Sequence, residues 1–122
     1  MAKDDYDVIV FKILLYYYAV LKRKIVFEDA TFEALIDKQD ISKEYFTDVL
    51  HMMKEKGLIE NLSFMNAWGG DLILVSDLKD IKITHDGVQY LKENEKMKKV
   101  KNLFLGVVDL TSKLIQLVLL AK

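Results

Sequence analysis

Apolar residues recur every three to four positions along most of the chain and form short runs in one central stretch. The first spacing predicts amphipathic helices and the second predicts strands. Residues 5–23 predict a first helix whose apolar side chains cover most of its circumference, so we expect it to be buried on more than one side. Residues 25–27 are β-branched or aromatic and predict a short strand, and residues 29–37 predict a second helix.

The third helix has the clearest pattern. Ser42 is a good N-cap, and the helix is expected to run to about residue 56. Its core-facing stripe, at positions i, i+3, i+4 and i+7, consists of Phe46, Val49, Leu50 and Met53. The second helix, a polar turn and the third helix together predict a helix-turn-helix. The opposite side of the third helix carries Lys43, Thr47, His51 and Lys54 among the acids Glu44, Asp48 and Glu55.

A β-hairpin is expected after this helix. Gly57 suits a left-handed C-cap, and the apolar runs 58–64 and 72–75 flank the glycine-rich connection 66–71. The helix-turn-helix followed by this hairpin predicts a winged helix, with the hairpin as the wing. Residues 61–76 contain no Lys or Arg, whereas Trp68 lies near the expected tip.

Two further helices complete the expected fold, which is α+β, mostly helical and a winged helix-turn-helix. Thr84 can cap a helix at about residues 85–93, in which Gly87 permits close packing. Residues 95–120 then predict one long and largely apolar helix that opens with four lysines. We expect residues 1–94 to form the winged-helix domain and residues 95–122 to form a C-terminal helix of the same domain.

The last helix is more apolar than one side of a small domain can cover. Pairing with a second copy would bury this surface, and a homodimer is therefore expected. The alternatives are packing within the chain and docking on a membrane surface through the lysines and the apolar face. The candidate dimer-interface residues are Leu103, Phe104, Val107, Leu110, Leu114, Leu117 and Val118.

Composition bounds these expectations. The 122 residues are 52% hydrophobic and 30% charged, which fits one folded domain. The formal net charge of −1 gives no overall attraction to nucleic acid, so any DNA contact must come from a local patch. Cysteine is absent, and the N-terminal apolar run is expected to be neither a signal peptide nor a membrane span. A cytoplasmic location is expected.

Catalytic signatures are not found in the sequence. It has no phosphate-binding, dinucleotide-binding, zinc-hydrolase or nucleophile-elbow motif, and its two histidines lie far apart. We therefore expect no enzymatic activity, no cofactor and no metal site.

The segment Ile83-Thr84-x-x-Gly87-x-x-Tyr90-Leu91-Lys92-Glu93-Asn94 follows the predicted hairpin. In this position it resembles the element after the wing in the YjcQ-like family of small bacterial and phage-borne winged-helix proteins. Multidrug-resistance and phenolic-acid-type regulators have similar segments. The resemblance spans roughly residues 6–102 and implies a winged-helix fold, with DNA binding inferred from that fold. It carries over no functional residue.

Two functions from different classes follow. The first is a dimeric winged-helix protein that binds double-stranded DNA and regulates transcription, with Lys43, Thr47, His51, Lys54 and Trp68 as candidate contacts. The second is a winged-helix interaction module without DNA binding, which uses Trp68 or the apolar C-terminal helix. The order of elements favours the first function, and the neutral third helix and uncharged wing favour the second. DNA binding is the function that we expect from the sequence, and the interaction module is the alternative.

Overall fold

The computed structural model of the chain describes residues 2, 4–37 and 40–120, and it is a mostly helical α+β protein, as the sequence predicts. The helices are α1 (Tyr6–Leu21), α2 (Asp29–Ile36), α3 (Lys43–Glu55), α4 (His85–Glu93), α5 (Glu95–Leu105) and α6 (Leu110–Ile115), which continues as a π-helical turn at Gln116–Leu120. The strands are β1 (Ile59–Glu60), β2 (Phe64–Asn66), β3 (Leu72–Leu74) and β4 (Lys82–Ile83), with a 3-10 turn at Leu78–Asp80.

The first helix lies at the centre of the molecule. Residues 8–17 of α1 are all buried, and the helix packs against every other helix and against β4. This confirms the prediction that α1 is buried on more than one side. Because each of its faces meets a different element, α1 organises the single core.

An aromatic cluster on α1 replaces the strand that residues 25–27 were expected to form. Phe27 stacks on Tyr17 at 5.7 Å between ring centroids and meets Phe32 at 5.4 Å. The Glu28 amide donates to the Tyr16 hydroxyl at 3.0 Å. The prediction of a strand at residues 25–27 was wrong. This segment packs on α1 through the ring of Phe27. Strand β1, to which it could have paired, is hydrogen-bonded to β4 instead.

The second and third helices are separated by residues 37–42, and the predicted polar turn between them includes residues 38 and 39, which lie outside the described part of the chain. Asp37 ends α2 in the left-handed conformation, with φ of 62°. The Ser42 hydroxyl caps α3 by accepting a hydrogen bond from the Tyr45 amide at 3.1 Å. Gly57 then leaves α3 with φ of +75°, the conformation that glycine adopts most readily.

Two small antiparallel sheets follow. In the hairpin, β2 pairs with β3 so that Phe64 faces Leu74 and Met65 faces Ile73. The expected continuous strand over residues 58–64 is interrupted at Asn61, which has φ of 67° and donates through its side-chain amide to the Asp80 carbonyl at 2.7 Å. The residues before this break form β1, which pairs with β4 rather than with the hairpin.

The fourth helix packs closely on the small sheet. Thr84 caps it by accepting from the Gly87 amide at 2.9 Å and donates to the Gly57 carbonyl at 2.6 Å. A Cβ on Gly87 would lie 2.1 Å from the Leu58 carbonyl oxygen. The prediction that Gly87 permits close packing is thus confirmed.

The expected long C-terminal helix is instead two helices. Gly106 ends α5, and α6 turns away from it by 117°. Asp109 and Ser112 form a capping box, in which the Asp109 carboxylate accepts from the Ser112 amide at 2.9 Å. The capping box starts a new helix where the periodicity alone predicts continuation.

The described residues include no single helix that is long and apolar enough to cross a bilayer. Helices α5 and α6, taken together with the π-helical turn, have the length and hydropathy of a span, but the bend separates them.

Candidate interaction surface

The solvent-facing side of α3 carries an acidic line. Glu44, Asp48, His51 and Glu55 follow one another at spacings of four, three and four residues, so they lie on one helix face. This face is opposite the buried stripe formed by Phe46, Val49, Leu50 and Met53. The three acids are exposed, and His51 lies 3.4 Å from the Glu55 carboxylate.

The cationic residues of α3 lie on the side that faces the hairpin. Lys54 places its ammonium 5.8 Å from the centre of the Phe64 ring. Lys43 and Thr47 line a cleft between α3 and the hairpin. Of the four α3 residues proposed to contact DNA, only His51 lies on the outward face, and its ring also packs edge-on against Phe64 at 5.1 Å.

Thr47 does not present its hydroxyl outward as the sequence suggested. It is only 5% exposed, and its hydroxyl donates to the Lys43 carbonyl at 2.9 Å. Threonine inside a helix commonly bonds the carbonyl four residues earlier, which removes the donor from the surface.

The hairpin tip projects Trp68 fully into solvent, with a relative exposure of 102%. The connection is closed by a 2.7 Å bond from the Ala67 amide to the Asp71 carbonyl. Gly69 and Gly70 adopt φ of +92° and +91°, which requires glycine-like freedom. The tip therefore presents a large apolar side chain to solvent beside α3.

A cleft of about 240 Å³ separates α3 from this tip. One wall comes from α3 and the other from the hairpin, and the lining includes Glu44, Trp68, Asp71, Leu72 and Ile73. Glu44 and Asp71 outnumber the single lysine of the lining, Lys43, so the cleft is negative on balance. Carboxylates beside an indole and aliphatic side chains can accept a basic side chain with an apolar stem.

The outer face of the hairpin is apolar, which the sequence reading did not single out. Met65, Ile73 and Val75 are exposed, whereas Phe64, Leu72 and Leu74 are half-buried on the inner side. The signal was in the sequence, because alternate residues of a strand face opposite sides. This exposed apolar face extends the surface that Trp68 begins.

The candidate dimer-interface residues are divided by the bend between α5 and α6. Leu103, Val107 and Leu117 are exposed, and Phe104 and Leu110 are half-buried. Leu114 and Val118 lie in the protein's own core, so the expectation that they face a second copy is corrected. The cause is that α6 folds back onto α1.

The tyrosines of α1 form part of the helix packing. Tyr16 and Tyr17 are buried, and burial raises the pKa of Tyr17 well above its ordinary value. The Tyr17 hydroxyl donates to the Leu78 carbonyl at 2.7 Å. No group of three or more His, Asp or Glu residues that could hold a metal ion occurs in the described part of the chain.

The family model described as "YjcQ protein" matches residues 11–110. No curated protein and no solved structure matches the chain. Because the match covers most of the 122 residues, the chain belongs to the YjcQ family.

Proposed function

We propose that this chain is a winged-helix protein-interaction module that does not bind DNA. In this interpretation α2 and α3 are the helix-turn-helix, the β2–β3 hairpin is the wing, and α3 is the helix that would enter a major groove. The order of these elements and the capped third helix support the winged-helix assignment.

The observation that carries the functional proposal is the acidic line on the outward face of α3. A helix in the major groove brings its outward side chains close to base edges and phosphates. At a separation of about 7 Å, each carboxylate–phosphate pair costs about 0.6 kcal/mol in bulk water, and the cost rises as water leaves the groove. Glu44, Asp48 and Glu55 would all pay this cost, whereas Lys43 and Lys54 lie to one side.

The hairpin supports the same conclusion. A wing that contacts DNA normally places Arg or Lys in or near the minor groove, but residues 61–76 contain neither. The hairpin instead offers Trp68 and the apolar side chains of Met65, Ile73 and Val75. Exposed tryptophan is strongly enriched among the residues that dominate protein–protein binding energies.

The partner should be a protein segment that carries basic and apolar side chains. The acidic line of α3 and the carboxylates of the cleft attract cations, and Trp68 provides both an apolar surface and a ring face for a cation. We infer that a basic side chain of the partner enters the cleft while apolar side chains cover the hairpin.

DNA binding with transcriptional regulation is the second candidate. The order of elements and the exposed Lys43 and Lys54 favour it. In that case the protein would bind as a dimer, and the lysines would contact phosphates along the edge of α3.

Site-specific photo-crosslinking tests the interaction proposal directly. A photoreactive amino acid replaces Trp68 in the full chain, which is expressed in its source cells. Val26 is the matched control position, because it is 82% exposed and lies outside the hairpin. The proposal expects a discrete protein adduct from position 68 and none from position 26.

A second variant links this adduct to α3. Glu44→Gln, Asp48→Asn and Glu55→Gln together remove the acidic line and should abolish the adduct, whereas Glu28→Gln, Glu60→Gln and Glu93→Gln should preserve it. An adduct to nucleic acid at position 68, or a protein adduct that is insensitive to the α3 acids, would refute the proposal.

A further inference from the structure

The bend between α5 and α6 produces an exposed apolar corner. We define the C-terminal corner as residues 103–108, which lie at the vertex of the 117° bend. Leu103, Leu105, Val107 and Val108 are exposed there, and Val108 reaches 93% exposure. Exposed apolar side chains that lie close together in the chain mark sites of interaction with proteins or membranes.

Lysines line α5 behind this corner. Lys96, Lys98 and Lys99 are exposed on the outward side of α5. Between residues 92 and 113 the chain carries six lysines against three acids, Glu93, Glu95 and Asp109. Glu95 lies 3.8 Å from Lys98, and the Asp109 carboxylate is engaged in capping α6. The residues around the corner therefore carry a net positive charge.

The spacing between the lysines and the corner matches the layers of a bilayer. Seven residues separate Lys98 from Leu105, which corresponds to about 10 Å along an α-helix. The headgroup region is roughly 5–8 Å thick on each side of the hydrocarbon core. If the corner points into the bilayer, the lysines lie at the level of the headgroups.

We propose that the C-terminal corner docks on an anionic lipid bilayer surface. Leu103, Leu105, Val107 and Val108 enter the interface, and the lysines of α5 bind acidic headgroups. Neither feature is sufficient alone, since stable peripheral binding takes two weak signals acting together. This surface is separate in sequence from α3 and the hairpin, so the inference is independent of the proposed function.

A second copy of the chain fits the corner less well. The four exposed apolar residues of the corner form a small apolar centre for an interface to which each partner would contribute roughly 20–30 residues of all types. Leu114 and Val118, which would have extended the patch, are buried within the protomer. Symmetric pairing through α5 would also bring two lysine-rich helices together.

Vesicle flotation of the full chain tests the proposal. The probes are vesicles of phosphatidylcholine alone and vesicles that contain one-third phosphatidylserine, in about 100 mM salt, where the Debye length is about 10 Å. We expect the protein to float with the anionic vesicles and at least tenfold less with the neutral ones. Val108→Asp should reduce flotation at least tenfold. Lys98→Gln with Lys99→Gln should reduce it by about fivefold per lysine.

Matched variants distinguish specific docking from nonspecific adsorption to vesicles. Val26→Asp places the same charge at another exposed valine, and Lys24→Gln with Lys79→Gln removes two lysines elsewhere. Both controls should float like the wild type. The proposal is overturned by absence of flotation, by equal flotation with neutral vesicles, or by equal loss in the controls. It is also overturned if the chain forms a dimer in sedimentation that Val108→Asp dissociates while no vesicles are bound.

Discussion

Replacing Gly87 by alanine should strongly destabilise the protein. The new Cβ would lie 2.1 Å from the Leu58 carbonyl oxygen and 2.8 Å from Cγ1 of Ile83. A carbon normally stays at least about 3.3 Å from a carbonyl oxygen, so α4 and Leu58, the residue before β1, must separate by roughly 1 Å. The Leu58 carbonyl cannot simply move away, because it also accepts a 3.1 Å hydrogen bond from the Thr84 amide.

The expected magnitude follows from three contributions. Overpacking costs about 1–3 kcal/mol, and weakening the hydrogen bonds of Thr84 adds about 1–2 kcal/mol. The higher helix propensity of alanine relative to glycine offsets this loss by about 1 kcal/mol. The free energy of unfolding should therefore fall by about 2.5 kcal/mol, which corresponds to a decrease of roughly 10 °C in Tm for a chain of this length.

Urea denaturation followed by circular dichroism measures this loss, and Gly106→Ala is the matched control. A Cβ at Gly106 would have no other atom within 4 Å, and the residue has φ of −94°, which alanine can adopt. Gly106→Ala should therefore change the free energy of unfolding by less than about 1 kcal/mol. If the free energy of unfolding of Gly87→Ala lies within about 0.5 kcal/mol of the wild-type value, the close contact between α4 and Leu58 does not contribute to stability as argued.

Three further predictions concern single side chains. Asp109→Ala removes the capping box of α6 and should lower the free energy of unfolding by about 1 kcal/mol in urea titration, whereas an unchanged midpoint would show that the cap is dispensable. Burial raises the pKa of Tyr17, so its neutral form is favoured in the folded state and its contribution to stability is complete below about pH 10 and lost as the pH rises further. Tyr17→Phe should make urea midpoints less sensitive to alkaline pH, and an unaltered pH dependence would contradict this assignment. Trp68→Ala should leave the free energy of unfolding within about 0.5 kcal/mol of the wild type, because the indole contacts solvent; a larger loss would mean that it packs on its own hairpin.

The helices and their caps were largely predictable from the sequence. Ser42 and Thr84 were identified as N-caps and Gly57 as the end of α3, because capping depends on residues close in sequence. The strand expected at residues 25–27 and the continuous strand at 58–64 were not formed. Strand pairing depends on which distant segment offers a free edge, and local residue preferences do not contain that information.

The division of the C-terminal helix shows how a periodic pattern can be misread. Gly106 and Asp109 lie inside the segment that was predicted to be one long helix, but Gly106 ends α5 and Asp109 caps α6. The sequence Asp109-Leu110-Thr111-Ser112 contained the signal, since a capping residue and its partner three positions later mark a helix start.

The candidate site was predicted only in part. The sequence indicated that α3 lacks a basic face and that the hairpin lacks cations, and Trp68 was identified at the tip. It did not indicate that the acids take the outward line while Lys43 and Lys54 lie toward the hairpin. That separation depends on the rotation of α3 relative to the hairpin, which is set by packing against α1 and β3.

Fluorescence anisotropy of a labelled random-sequence duplex tests the central claim most directly. The duplex is titrated with the wild type and with the variant in which Glu44, Asp48 and Glu55 are neutralised, at about 50 mM and about 200 mM salt, where counterion release is readily seen. The account predicts no salt-sensitive binding by the wild type and measurable low-salt binding by the variant. Tight wild-type binding that weakens steeply with salt would contradict it and identify α3 as a DNA-binding helix.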